Sequence, residues 1–237
     1  MLNLTKTTNI LTKTRKSSMK LKDNERLDDL QFNNLYLIQN KEEYCFNSDS
    51  VKLANFVSAP KRAKVVDLCS GSGVIGILVN AKNDCEKVVC VELQEYYADM
   101  SRRSLEYNNI KNIEIVNSPV QGISSVIGKE FYDVVVCNPP YKKANSSILC
   151  DKESVNIARH EIKITLRDVV AESSKLLKYG GKFFTVNKEE RLTDLFCYMR
   201  EYGIEPKVLK IIPSAKGANV ILVEGKKGGK SGIKISL

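Results

Sequence analysis

One run constrains this chain more than any other: AKVVDLCSGSGVIG, residues 63–76. Its first half, AKVVDL (63–68), is a short β-branched apolar stretch of the kind that forms a strand buried on both faces. Its second half places Gly71, Gly73 and Gly76 where a strand turns sharply into a helix, expected from Val74 to Lys82. Glycine at 71 and 73 permits a tight turn and lets a ligand approach the backbone closely. Glycine at 76 lets the helix pack near the strand, and Asp67 ends that strand within reach of the turn.

Beyond this unit, strand-like and helix-like runs alternate. KVVCVEL (87–93), IEIVN (113–117), YDVVVC (132–137), KFFTVN (182–187), PKVLKII (206–212) and NVILVE (219–224) read as strands. Gln94 to Asn108 reads as an amphipathic helix, with Tyr97, Met100 and Leu105 at roughly helical spacing. Residues 161–178 read as a second long helix, stopped by Gly180 and Gly181. The rhythm predicts an α/β fold: a mostly parallel seven-stranded sheet with helices on both faces and an antiparallel final strand. A helix–strand prelude is expected before residue 60. The expected organisation is a basic arm (1–22), a single domain (23–225) and a basic Gly-rich tail (226–237). The arm carries Lys6, Lys13, Arg15, Lys16, Lys20 and Lys22 and no acid. Its composition matches a transit segment, but a disordered arm, or an upstream start with Met19 as initiator, is the favoured reading.

Charge and cysteine usage narrow the function classes. Lys and Arg number 37 against 28 acids, a formal net charge of +9. That excess favours polyanionic partners, because their counterions are released on binding. The seven cysteines are odd in number and include no Cys-x-x-Cys pair, which argues against a zinc site or a disulfide framework and suits a reducing cytoplasm. No metal is expected. No stretch approaches the ~20 apolar residues of a membrane-spanning helix.

The chemistry concentrates at two strand ends. A carboxylate such as Asp67 beside the glycine turn repels a pyrophosphate but welcomes the ammonium group of S-adenosylmethionine. Glu92, followed by Leu93, ends the next strand about 20 residues on, where an acid hydrogen-bonds ribose hydroxyls. The strand at 132–137 runs into Asn138-Pro139-Pro140-Tyr141. If the two strands are neighbours, this tetrad faces the sulfonium methyl. An adenine amino nitrogen is a poor nucleophile because its lone pair is delocalised into the ring. The side-chain oxygen of Asn138 and the backbone oxygen of Pro139 can each accept one amino hydrogen, pulling the nitrogen toward a pyramidal form. The prolines stiffen the backbone, and Tyr141 stacks on the base once it leaves its own stack. A glutamine side-chain amide offers the same planar amino group.

With both motifs in view, the chain resembles the bacterial tRNA(Val) adenine-N6 methyltransferase family from about residue 24 onward. The likeness runs through ERLDDLQ (25–31), YCFNSDSVKLANF (44–56), DLCSGSGVIGIL (67–78), VELQ (91–94), NPPY, IARHE (157–161) and ANVILVEGKKGGKSGIKI (218–235). The resemblance implies a Rossmann-like class I methyltransferase that uses S-adenosylmethionine on an adenine next to the anticodon. It implies cofactor contacts from Asp67, Gly71, Gly73, Glu92, Leu93 and Asn138, with Asn138 to Tyr141 holding the base. One departure stands out: such enzymes carry an acid after the third strand, near the cofactor's adenine, whereas this chain has Asn117-Ser118-Pro119. Asn117 or Ser118 is then expected to accept that hydrogen bond.

Lys142, Lys143 and Arg159 flank the presumed active-site mouth and are expected to contact tRNA phosphates. His160 reads equally as an RNA contact or a helix cap. The stretch Asp49–Phe56 is expected to begin a helix over the cofactor, capped by Ser48 or Asp49. The lysines at 226, 227 and 230 read as a flexible surface segment. The expected function is methylation of a tRNA adenine amino nitrogen by a cytoplasmic, monomeric enzyme. The alternatives are a protein-glutamine methyltransferase acting on a release factor, and an RNA-binding module that has lost catalysis.

Overall fold

The computed structural model describes residues 20–140, 153–159, 163–214 and 217–237. Tyr141, Lys142, Lys143, Cys150 and His160, and the arm up to Met19, lie outside the described residues.

An eight-stranded sheet forms the centre, with the strands ordered Lys234–Ser236, Ile204–Ile212, Val220–Lys227, Leu177–Lys188, Tyr132–Cys137, Lys64–Leu68, Lys87–Glu92 and Ile113–Asn117. Its parallel half comprises β3 (Lys64–Leu68), β4 (Lys87–Glu92), β5 (Ile113–Asn117), β6 (Tyr132–Cys137) and β7 (Leu177–Lys188). Next to it, β9 (Val220–Lys227) runs antiparallel to both β7 and β8 (Ile204–Ile212). These are the seven expected strands, with the expected antiparallel hairpin at the end. An eighth, β10 (Lys234–Ser236), adds parallel to β8 at the sheet edge.

Alternation within the strands explains why both faces are covered. Val65, Val88, Val134, Val136 and Phe184 project into one apolar layer, with α1 (Ser48–Phe56) and α2 (Val74–Asn83) supplying Leu53, Ile77 and Leu78. Val66, Leu68, Val89, Val135 and Phe183 project into the other, against Val169 and Val170 of α6 (Leu166–Leu176) and Leu195 and Met199 of α7 (Leu192–Glu201). Strands sandwiched in this way read as continuous apolar runs. The remaining helices are α3 (Glu95–Tyr107), α4 (Ser124–Ile127) and α5 (Glu153–Arg159).

Three expectations change. The segment before residue 60 is a hairpin followed by a helix: β1 (Glu25–Asp29) pairs antiparallel with β2 (Tyr36–Asn40). Asn33 and Asn34 take positive φ in its turn, a region Asn tolerates better than most residues. The hairpin docks on α3, where Asn108 accepts from Tyr36 N at 2.9 Å and donates to Tyr36 O at 2.6 Å. Second, Gly180-Gly181 does not stop a helix. A capping box between Thr165 and Asp168 starts α6, and β7 begins directly at Leu177. The two glycines fall where the β6–β7 register slips, and a Cβ on Gly181 would meet Lys178 O at 2.9 Å. Third, the basic tail is not simply a surface segment. Lys226 and Lys227 complete β9, and Lys207 Nζ donates to the carbonyls of Lys230 and Gly232, holding the chain that leads into β10.

The order of connections positions the site. From β3 the chain steps outward to β4 and β5, then returns to place β6 on the other side of β3. The ends of β3 and β6 meet there, with Leu68 opposite Cys137. Such a switch point opens a crevice beyond the carboxyl ends of the strands.

Candidate active site

A cavity of about 460 Å³ occupies that crevice, within the usual range of small-molecule sites. The turn after β3 forms its floor. Cys69, Gly71 and Gly73 all take positive φ, and Gly73 leads directly into α2. A Cβ at Gly71 would meet no heavy atom within 4 Å, so the turn presents open backbone at that point. Gly76 is needed for packing, since a Cβ there would collide with Cys90 Sγ.

Glu92 ties two walls together. One carboxylate oxygen accepts from Gly71 N at 2.8 Å and the other from Gln94 N at 2.9 Å. Burial pushes its carboxyl above the ordinary range, while the backbone N–H groups of Gln94, Gly71 and Leu93 pull it down. Asp67 lies differently from expectation. It is fully buried beneath the turn and does not line the cavity. One oxygen accepts from Gly76 N at 2.9 Å, and the other has no hydrogen-bond partner among the described residues. Burial raises its carboxyl to about 8, opposed by the Gly76 N–H and reinforced by the Glu92 charge.

Asn138, Pro139 and Pro140 line the opposite wall. Asn138 Nδ2 donates to Ser50 Oγ at 2.9 Å. Of the residues expected to meet the cofactor, Gly71, Glu92, Leu93 and Asn138 face the cavity, while Asp67 and Gly73 sit behind its surface. Asn117 and Ser118 do not line it either. The Asn117 amide instead donates to the carbonyls of Glu92 and Leu93, at 3.0 and 2.9 Å, bracing the end of β4. Pro119, Val120 and Gln121 face the cavity in their place. Arg159 is the last residue of α5, the helix whose Ile157 reaches the cavity.

Sequence reasoning missed part of the wall. Tyr44 to Asn47, with Asp49 and Ser50, close one side. Asn47 caps α1, where Ser48 or Asp49 was expected; its side chain accepts from Asp49 N and Ser50 N. An Asn one residue before an acidic first turn was the available signal. Lys188, at the end of β7, reaches the same cavity and approaches Asp49 at 4.0 Å. Nothing local in the sequence marks it. The helix α5 is fastened across the mouth: Ser154 Oγ donates to Glu43 at 2.6 Å, and Gln94 Nε2 donates to Ser154 O at 3.2 Å.

Residues 47–195, which include the glycine turn, Glu92 and Asn138, match the methyltransferase small domain family. This chain belongs to that family. This chain is 26% identical over 142 residues to a protein of Porphyromonas gingivalis named tRNA1(Val) (adenine(37)-N6)-methyltransferase. That match covers 59% of this chain and spans 55% of the relative's length. A protein of the same name from Aeromonas hydrophila is 24% identical, with 76% of each chain covered. Among solved structures, the chain superposes on M. jannaschii TYW2, determined in complex with AdoMet, with a TM-score of 0.62 at 12% identity, covering 88% of each chain. A predicted O-methyltransferase from Agrobacterium tumefaciens gives 0.60 at 20% identity, with 79% of this chain and 85% of that one covered. At such identities these neighbours establish the fold. Among the described residues, no helix is long and apolar enough to cross a membrane, and no group of three or more His, Cys, Asp or Glu is arranged to hold a metal.

Proposed function

We propose that this chain transfers a methyl group from S-adenosylmethionine to the exocyclic amino nitrogen of an adenine in tRNA, next to the anticodon of tRNA(Val). The observation that carries the reading is the placement of Asn138 and Pro139 on the cavity wall beside the glycine turn. The relatives' names supply the tRNA and the adenine.

The cavity fits the cofactor. Ser70 Oγ faces it, buried and without a hydrogen-bond partner among the described residues. Gly71 presents uncluttered backbone, and Glu92 faces the cavity with its carboxylate held by the N–H groups of Gly71 and Gln94. Gly71 and Ser70 would hold the cofactor's amino-acid end, and Glu92 its ribose. When bound, S-adenosylmethionine supplies an electrophilic methyl on its sulfonium. The chain's part is orientation: Asn138 and the Pro139 carbonyl take the amino hydrogens, and the two prolines keep those acceptors from drifting. Tyr141, next in the chain, would stack on the base, while Lys142, Lys143 and Arg159 would meet the flanking phosphates.

Glu92→Ala is expected to weaken S-adenosylhomocysteine binding at least about ten-fold, the scale of a hydrogen bond to a charged group. Calorimetry measures it, with Glu92→Gln as the near-isosteric control. Equal affinity for wild type and alanine variant would remove Glu92 from the site.

The function itself is tested by offering labelled S-adenosylmethionine with either total tRNA or a purified release factor. The expected product is N6-methyladenosine in the tRNA nucleoside digest. Label on the release factor's glutamine and none on tRNA would replace this reading with the protein-glutamine one. Label on neither, with cofactor bound, would leave an RNA-binding module.

A further inference from the structure

An asparagine that must accept hydrogen bonds from an amino group faces a problem of its own making. The two ends of its carboxamide have nearly the same shape, and a half-turn about the last side-chain bond exchanges the acceptor for a double donor. In the wrong orientation Nδ2 would confront the amino hydrogens, donor against donor. We infer that Ser50 is a positioning residue that settles this choice: by accepting from Asn138 Nδ2 at 2.9 Å, it turns Oδ1 of Asn138 toward the substrate amino group. The inference rests on the reading of Asn138 as an amino-group acceptor.

The geometry supports a fixed partner at this place. Ser50 is 5% exposed and lines the same cavity as Asn138. It lies in the first turn of α1, where its backbone N–H and that of Asp49 both donate to Asn47 Oδ1. One turn further along, fully buried Leu53 and Ala54 anchor the helix in the core. Next to Ser50, Asp49 pairs with Lys52 at 3.3 Å and approaches Lys188 at 4.0 Å, joining the helix start to the end of β7. The hydroxyl is thus held by an element far from Asn138 in sequence, on a different segment from the glycine turn. A hydroxyl can donate as well as accept, and Ser50 Oγ serves here as the acceptor that keeps Nδ2 away from the amino hydrogens. With two amino hydrogens to satisfy, the complete arrangement runs from substrate N–H to Oδ1 and from Nδ2 to Ser50 Oγ. Without Ser50, Nδ2 loses this acceptor and the amide loses one restraint on its half-turn.

The test compares wild type, Ser50→Ala and Ser50→Thr by three measurements: single-turnover methyl transfer to tRNA, KM for tRNA, and S-adenosylhomocysteine affinity. Ser50→Ala is expected to slow transfer about ten-fold or more, the scale of a misaligned reacting group. Affinity for S-adenosylhomocysteine and KM for tRNA should stay within about two-fold. Ser50→Thr, which keeps the hydroxyl, should recover most of the rate. An unchanged rate in Ser50→Ala, a threonine variant as slow as the alanine one, or a loss accounted for by cofactor affinity would each overturn the inference. Should Ser50→Ala fail to fold, Ser50→Cys carries the test, since sulfur is a weaker acceptor of similar size; its rate should fall below that of wild type, and a wild-type rate would overturn the inference. If wild type methylates a release-factor glutamine and not tRNA, the tRNA reading fails. The Ser50 comparison is then made on that amide, which presents the same two amino hydrogens.

Discussion

Asn138→Ala is expected to reduce methyl transfer at least about 100-fold while leaving S-adenosylhomocysteine binding nearly intact. Losses of that size accompany removal of one preorganised hydrogen-bonding group from an active site. Asn138 directly follows β6, across the crevice from the glycine turn, and its Nδ2 donates to Ser50 Oγ. In the proposed role its removal deletes the acceptor for an amino hydrogen that is absent until substrate arrives, so the binary complex should notice little. Single-turnover assays under saturating cofactor, paired with calorimetry, separate the two effects. Transfer within a few-fold of wild type would defeat the proposed role. A collapse of cofactor affinity would instead make Asn138 part of the cofactor's own seat.

Asp67→Asn is expected to flatten the dependence of stability on pH. Burial holds the Asp67 carboxyl at about 8, far above the ordinary 3.8 of an unfolded chain. The folded protein therefore keeps a proton that the unfolded chain gives up. The contribution of this group is fully present below about pH 4 and is lost as pH rises through about 8. Within that window it weakens the fold by up to about 1.4 kcal/mol per pH unit. The asparagine oxygen still accepts from Gly76 N–H, and its amide carries no charge to bury. Urea unfolding at intervals between about pH 5 and about pH 8 reads the slope. Glu92, also raised by burial, adds a slope of the same sign that the variant retains. Identical slopes for wild type and Asp67→Asn would show that Asp67 is ionised in the folded state.

Much of the parallel half was legible because its strands are buried on both faces and its helices are strongly periodic. The helix read as Gln94–Asn108 is α3, Glu95–Tyr107, with those two residues as its caps. The glycine turn and Asn138 could be placed on one crevice because open parallel sheets bind ligands beyond the carboxyl ends of their strands, at the switch in strand order. Other parts carried no local signature. The hairpin at Glu25–Asn40 consists of two five-residue strands, ERLDD and YLIQN, too short for their pattern to separate them from a helical turn. Gly180-Gly181 looks the same in sequence whether it stops a helix or bulges a strand, and only the partner strand decides. Asn117 has the chemistry to reach a ligand, yet the carbonyls at the end of β4 claim its amide first. Ser50 and Lys188 join the cavity through packing between segments far apart in the chain, which no spacing rule encodes.

The meeting of β3 with β6 has a consequence for how this protein comes into being. Leu68 and Cys137 lie opposite each other only after the intervening strands and helices have been laid down on the far side of β3. The two halves of the crevice thus cannot mature separately, and no fragment ending before Cys137 contains both. Pairings between distant segments form slowly, because the chain must lose loop entropy before contacts reward it. A molecule settling into the crevice therefore grips the central seam of the sheet, not a detachable flap. Its occupancy should resist unfolding of the entire domain, in proportion to the logarithm of its concentration over its dissociation constant. In a cell, the supply of that molecule would set how long each copy of the protein survives as well as how often it turns over.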